Sequence, residues 1–348
     1  MKIAQIAPLV ESVPPSLYGG TERVVSWLTE ELVRQGHDVT LFASGDSRTA
    51  ARLEPVAPRA LRLQGINDSI PANMIMLERV IERQREFDVL HFHIEFFHYP
   101  VFRSVAHRTL TTLHGRQDLP NLPEVYRTFP GMPLVSISDS QRPPIADMNW
   151  RGTVHHGMPR DLFRLGQGGN YLAFLGRICP DKGILPAIEI ARQAGMPLKV
   201  AAKVDPADKD YFEQQVKPVL EASPHVDFIG EIDDSQKQRF LGDALALLFP
   251  INWPEPFGLV MIESMACGTP VIGFACGSVP EIMEDGVTGF VVETVEEAAA
   301  RVPRLNALSR PVIRARFEKR FSVEGMARAY LKIYEKLASE QTVAVAAE

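Results

Sequence analysis

Trp253 to Cys276, WPEPFGLVMIESMACGTPVIGFAC, reads as loop, helix, turn and strand in immediate succession. Glu255 precedes Pro256, and the residue before a proline is pushed out of helical geometry. Phe257, Gly258 and Leu259 open a helix that runs through Ser264 to Cys267. Gly268 supplies a left-handed stop, Pro270 prevents the helix continuing, and Val271 to Ala275 is an apolar run of strand length. The first amides of such a helix, with the dipole behind them, make a ready anion site. Gly258 has no side chain to keep a phosphate away.

Two carboxylates flank that helix start. Glu255 lies just before it and faces whatever the bound anion carries. Glu263 stands in the second helical turn, among Val260, Met261, Ile262, Ser264, Met265 and Ala266. A helix apolar nearly all round is buried, so a carboxylate in it needs a partner. Solvated surface charge is the usual fate of glutamate, and the neighbours of Glu263 weigh against it. Carboxylates so spaced bracket an extended ligand with hydroxyls at both ends and a diphosphate between, such as a nucleoside-diphosphate sugar.

Glu255-x7-Glu263 within EPFGLVMIESMACGTPVI closely resembles the donor site of the large retaining glycosyltransferase family 4, which has the GT-B fold. The resemblance implies an α/β protein of two Rossmann-like, doubly wound domains facing across a cleft. It also implies hexose transfer from a nucleoside-diphosphate sugar to an acceptor hydroxyl, with retention at the anomeric carbon.

A chain of 348 residues accommodates two domains of ordinary size. A formal charge of −6 argues against a nucleic-acid binder and against general attraction to anionic membranes. Cys179, Cys267 and Cys276 have no paired spacing, which suits a reducing compartment. The opening MKIAQIAPLVES reads as a first strand and not a signal peptide. No apolar run approaches the roughly 20 residues of a membrane span. A cytoplasmic location is expected, with peripheral attachment to the inner membrane face as a compatible variant.

The first half reads as strand Lys2–Pro8, a proline- and glycine-rich loop from Val13 to Gly20, helix Thr21–Gln35 and strand Val39–Ala43. That is one unit of a doubly wound sheet, with Gly19 and Gly20 at the ligand-binding end of its first strand. The missing G-x-G-x-x-G disfavours a nicotinamide-dependent dehydrogenase. A Gly-Gly here in the resembled family lets the loop approach the donor phosphates. Met74–Phe87 reads as helix and Asp88–His93 as strand, which puts His91, His93 and Glu95 on one face in imitation of a metal site. No fourth ligand is identifiable, so a strand end is the better reading. Leu110–Leu113 ends in His114-Gly115, and the resemblance places His114 beside the transferred sugar. Leu134–Ser138 is a further strand, with a helix expected to begin at SISDSQR.

In the second half, strand Tyr171–Leu175 leads into GRICPDKG and a helix from Ile184 to Gln193. The resemblance puts Arg177 and Lys182 on the donor pyrophosphate, so no metal need be recruited. Strands are read at Leu198–Ala202, Val226–Ile229, Leu245–Pro250 and Phe290–Val292, with Glu281–Gly289 as loop. Gly230 is placed beside the base by the family layout. Asp208-Lys-Asp210 imitates a metal-binding D-x-D, yet it begins a charged helix and reads as a solvated face. Phe321–Leu337 is an amphipathic helix with Met326, Ala329, Tyr330, Ile333 and Leu337 as its packing stripe.

The expected division is residues 1–158 for the acceptor, 159–320 for the donor, and 321–348 as a helix crossing back, with a flexible tail from Ser339. Phe257, Gly258 and Leu259 with Arg177 and Lys182 would grip the diphosphate, Glu255 the sugar hydroxyls and Glu263 the ribose. UDP-sugars are slightly preferred over GDP-mannose. Lipid, polysaccharide and small-molecule acceptors are all compatible, and Arg79, Arg83, Arg85, Arg103 and Arg108 suit a lipid surface or solvent alike. The competing reading is a sugar-nucleotide-binding protein without transfer activity.

Overall fold

The computed structural model of the chain describes residues 1–16 and 19–346, the side chains of 341–346 excepted. Leu17 and Tyr18, in the loop before Gly19, lie outside the described residues. The chain divides into two units, Met1–Pro159 with Ser322–Glu348, and Arg160–Phe321.

The first unit holds a seven-stranded sheet of β1 (Lys2–Ile6), β2 (Asp38–Ser44), β3 (Arg52–Ala57), β4 (Val89–Phe92), β5 (Thr109–Thr112), β6 (Leu134–Ser136) and β7 (Trp150–Thr153). Its order is β3-β2-β1-β4-β5-β6-β7, and every pairing is parallel. The order reverses between β1 and β4, which opens a crevice at the carboxyl ends of those strands. The second unit repeats the plan with β8 (Leu172–Arg177), β9 (Leu198–Lys203), β10 (Val226–Gly230), β11 (Ala246–Phe249), β12 (Val271–Phe274) and β13 (Gly289–Val292). Its order is β10-β9-β8-β11-β12-β13, again parallel, with the switch between β8 and β11.

Several elements differ from expectation. Strand β3 was not read because Pro55 sits inside it; as an edge strand it tolerates the missing donor. Strand β7 and the helices Val295–Arg301 and Arg310–Arg320 also escaped the reading. After Ser138 only 3-10 turns form, Asp139–Gln141 and Pro143–Ile145, since Pro143 and Pro144 interrupt any longer helix. The helix after β1 starts at Gly20 with no side-chain cap. Residues Val279–Ile282 form a short helix that reaches into the expected loop.

The C-terminal helix, Val323–Ala346, packs on the first unit's sheet. Its buried positions are Val323, Met326, Ala327, Tyr330, Tyr334 and Leu337, so Ala327 and Tyr334 replace Ala329 and Ile333 in the stripe. Its backbone stays helical past Ser339 to Ala346, and Glu340 pairs with Arg151 at 3.0 Å.

The first unit's sheet has two unlike faces. Ala4, Ile6, Leu90 and Phe92 belong to an apolar cluster with Met76, Leu77 and Val80 from the helix Ile70–Arg83. Gln5 and His91 are strand partners pointing the other way. There a buried polar seam runs under the C-terminal helix. His91 reaches the Tyr334 hydroxyl and Thr112 Oγ1, each at 2.7 Å, and Thr112 Oγ1 meets the Tyr330 hydroxyl at 2.9 Å. The tyrosines of the stripe therefore carry hydrogen bonds as well as packing.

Burial lowers His91, His93, His98 and His156 well below the usual imidazole range and pushes His114 down to about 3. These groups stay neutral in the folded chain and take up protons once unfolded, so unfolding binds protons below the ordinary pKa of about 6.5. Stability is therefore full above that pH and falls as pH drops from about 6.5 towards 4. Glu22 and Glu95, raised by burial, work in the opposite sense. Each histidine contributes up to roughly 1.4 kcal/mol per pH unit, and the histidines outnumber the carboxylates. Urea unfolding followed by circular dichroism at pH 7.5 and 5 should show the midpoint lower at pH 5; an equal or higher midpoint contradicts this.

A second expectation concerns Gly183, which caps the helix Ile184–Gln193 in a left-handed conformation (φ 74°). A Cβ there would run into the Pro250 carbonyl oxygen, whereas Gly195 (φ 64°) has open space around it. Gly195→Ala should cost about 1 kcal/mol, and Gly183→Ala about 2 kcal/mol or more because the backbone of the next loop must also move. Equal costs in urea titrations would contradict that reading.

Candidate donor site

The second unit's crevice is built from the loops after β8 and β11, which are neighbouring strands. The loop after β8 turns through the 3-10 segment Pro180–Lys182. Asn252 N donates to Asp181 O at 2.9 Å, and Gly183 lies directly against Pro250. The two loops are thus locked together where a ligand would sit.

Lys182 Nζ donates to Glu255 Oε2, and the Trp253 indole N–H donates to the same oxygen at 3.0 Å. The ammonium also stands 4.4 Å from the centre of the Trp253 ring. Lys182 and Glu255, expected on different parts of the ligand, pair with and neutralise each other. Behind Glu255, Ser278 N donates to its carbonyl at 3.0 Å, and the Ser278 hydroxyl donates to Phe257 O at 2.8 Å. Gly277, in a left-handed conformation, leaves no room for a Cβ beside the Glu255 backbone. Trp253, Gly277 and Ser278 were missed by the sequence reading; the G-S-V-P turn after β12 was the available signal.

The helix of the central motif spans Leu259–Ala266, so it opens two residues later than expected. Gly258 is its left-handed cap (φ 78°), a conformation that does not continue a helix. Phe257 is therefore outside the helix and buried, edge-on to Phe321 at 6.1 Å. A Cβ on Gly258 would meet Met261 Cε at 2.8 Å and Phe249 Cζ at 3.1 Å. The first amides, beginning at Leu259, are the ones a helix leaves for an anion.

Glu263 is 5 % exposed and has the partner its surroundings require: Lys237 Nζ, 2.9 Å away. Lys237 stands on the helix Asp234–Gly242, which a capping box of Asp233 and Gln236 fixes in place. Arg177, at the end of β8, pairs with Asp208 at 3.5 Å. Asp208 is only 17 % exposed, so the expected solvated face is corrected there: its carboxylate faces a guanidinium across the loop ends. The chain after it winds through a π-helical stretch, Phe212–Val216. Gly230 ends β10 with φ 78° and open space about it, two strands from Arg177.

The first unit carries a second constellation. Gly19 caps the helix Gly20–Arg34, and a Cβ on it would lie 2.8 Å from Pro15 Cβ. His114, just past β5, touches His93 beyond β4: His93 Nδ1 and His114 Nε2 are 2.9 Å apart. His156 stacks on His114 with ring centres 5.3 Å apart. Glu95 does not join His91 and His93 as a metal ligand. It takes a positive φ of 52°, and its carboxylate accepts the His114 and Gly115 amides at 2.9 and 3.0 Å. Arg79 and Arg83, grouped with bases that suit a lipid surface, both pair with Glu54. No helix among the described residues is long and apolar enough to cross a membrane.

The family described as "Glycosyl transferases group 1" matches residues 161–320, and that described as "Glycosyltransferase Family 4" matches residues 18–139. The D-inositol 3-phosphate glycosyltransferase of Mycobacterium leprae is 30 % identical over 156 residues, 40 % of this chain and 36 % of that protein. Alignments with the first curated relatives span between 36 % and 53 % of their length. Among solved structures, AviGT4, a glycosyltransferase involved in avilamycin A biosynthesis, superposes with a TM-score of 0.76 at 24 % identity, covering 98 % of both chains. The Anabaena protein HepE, solved with UDP and glucose, superposes at 0.72 and 19 % identity, over 97 % of this chain and all of that one. Two parallel sheets built on one plan, the superpositions and the two matched halves agree: the fold is GT-B, and the chain belongs to glycosyltransferase family 4.

Proposed function

We propose that the protein transfers a hexose from a nucleoside-diphosphate sugar to an acceptor hydroxyl, with retention at the anomeric carbon. The observation that carries this is Lys182 paired with Glu255 beside the Leu259 helix start. A buried ion pair costs desolvation that its Coulomb attraction barely offsets, so stability alone is weak reason to keep one. Here both charges lie where a ligand with an anionic centre and hydroxyl-bearing ends would divide them. The diphosphate takes Lys182, Arg177 and the amides from Leu259 onward; sugar hydroxyls take Glu255. Glu263, fixed by Lys237, is the acceptor for ribose hydroxyls, and Gly230 leaves its strand end open for the base. Gly19, Gly20 and His114 are the first unit's contribution.

In the reaction, the bond from the anomeric carbon to the phosphate oxygen breaks and a bond to the acceptor oxygen forms on the same face. The acceptor proton passes to the departing phosphate. Negative charge grows on the diphosphate as this happens, and fixed cations and amides stabilise it without reorganising. The nucleotide sugar is a co-substrate, and the two side-chain cations supply the role a metal ion would otherwise fill. UDP is the first base to try, since HepE was solved with UDP and with UDP-glucose.

Turnover of UDP-, GDP- and ADP-sugars, with acceptor supplied, tests this. Lys182→Ala, Arg177→Ala and Glu255→Gln should each lower kcat about a hundredfold or more while melting cooperatively. Near wild-type turnover in all three sinks the assignment. Binding of a sugar nucleotide with no release of free nucleotide would instead support the non-transferring alternative.

A further inference from the structure

Gln5, His93 and His114 lie in single file inside the first unit, and the file has a direction. Gln5 Nε2 donates to the Tyr334 hydroxyl at 3.2 Å, so its amide oxygen meets His93 Nε2, at 2.7 Å. An amide oxygen only accepts, so His93 carries its proton on Nε2 and leaves Nδ1 as a lone pair. That lone pair is 2.9 Å from His114 Nε2, which must therefore be the protonated nitrogen of His114. In a neutral ring His114 Nδ1 is then bare. Burial keeps both rings neutral.

His114 Nδ1 is buried and has no hydrogen-bond partner among the described residues. Were the file reversed, a buried N–H would stand there unpaired, and orphaned buried N–H groups are rarer than unfilled acceptors. The far end of the file is compatible with the same sense. If the Tyr334 hydroxyl accepts from Gln5, its own proton goes to His91 Nδ1 at 2.7 Å, and His91 Nε2 then donates to Thr112 Oγ1 at 2.7 Å.

We propose that Gln5 and His93 are positioning residues that hold His114 in its Nε2–H tautomer, leaving Nδ1 as a fixed acceptor for a hydroxyl of the transferred sugar. The hydroxyl's identity rests on the transfer reading above; the tautomer does not. So held, His114 has no proton to give from that unpaired nitrogen. It orients the sugar and does not serve as a proton donor, and burial, which lowers its basicity, makes it a poor proton acceptor. Gln5, on the first strand and enclosed on all sides, thereby acts at the sugar through two intervening bonds.

Long-range proton–nitrogen correlation spectra of histidine-15N-labelled protein test this directly, with His114 assigned by subtraction of His114→Phe. In the wild type His114 should show a pyridine-like Nδ1 and a pyrrole-like Nε2. Gln5→Leu should lose that pattern to a mixture of tautomers, and Gln5→Glu, which keeps an acceptor towards His93, should retain it. In turnover, Gln5→Leu should lower kcat/KM roughly five- to tenfold, the scale of one weakened hydrogen bond, with Gln5→Glu closer to wild type. A wild-type His114 protonated on Nδ1 overturns the proposal, whatever the variants do. So does a Gln5→Leu spectrum indistinguishable from wild type. If the wild type turns over no sugar nucleotide, the transfer reading fails on its own while the spectra still decide the tautomer.

Discussion

The contact between Lys182 and Glu255 ties the second unit's chemistry to its fold. It joins the loops that follow β8 and β11, the two strands between which the sheet's order reverses. Everything near it serves to hold those loops at a fixed separation. Gly183 lets one loop approach the Pro250 carbonyl, Asn252 and Asp181 share a backbone hydrogen bond, and Gly277 with Ser278 supports Glu255 from behind. Trp253 then covers the pair, its indole N–H bonding the carboxylate and its ring facing the ammonium. The other charges follow the same rule. Arg177 faces Asp208 and Glu263 faces Lys237, so each charged residue proposed for the donor already has an opposite charge in place.

The two units solve a shared problem with different materials. Each must position polar groups at the carboxyl ends of buried parallel strands. The second unit does it with charge pairs set on loops. The first uses neutral groups set on the strands themselves, in a seam of glutamine, histidine, threonine and tyrosine beneath the C-terminal helix. Neutral hydrogen bonds suit that place, because ionising a histidine there would leave a buried charge with no counter-charge. The cost is sensitivity to acid; the return is a ring whose protonation state and orientation are fixed.

Legibility from sequence followed how local each constraint was. The helix Leu259–Ala266 was readable, two residues too early at its start, because Pro256 and Gly268 bound a short apolar run, and Ile184–Gln193 because Gly183 and the apolar spacing mark it. Strand β3 was hidden by Pro55, whose ordinary meaning is interruption. That Glu263 needed a partner was legible; that the partner is Lys237, 26 positions earlier on another helix, was not. Asp208 was misread because charge pattern alone cannot separate a solvated carboxylate from one facing Arg177. The Gln5–His93–His114 file joins residues on or just past three strands: periodicity marked His93, the resemblance supplied His114, and nothing in the sequence singled out Gln5.

A crystal structure with a nucleoside diphosphate bound tests the central claim most directly. The account predicts phosphate oxygens within hydrogen-bond distance of Lys182 Nζ and the Leu259 amide, with the Lys182–Glu255 contact opened. A diphosphate lodged elsewhere, with that contact intact, would contradict it.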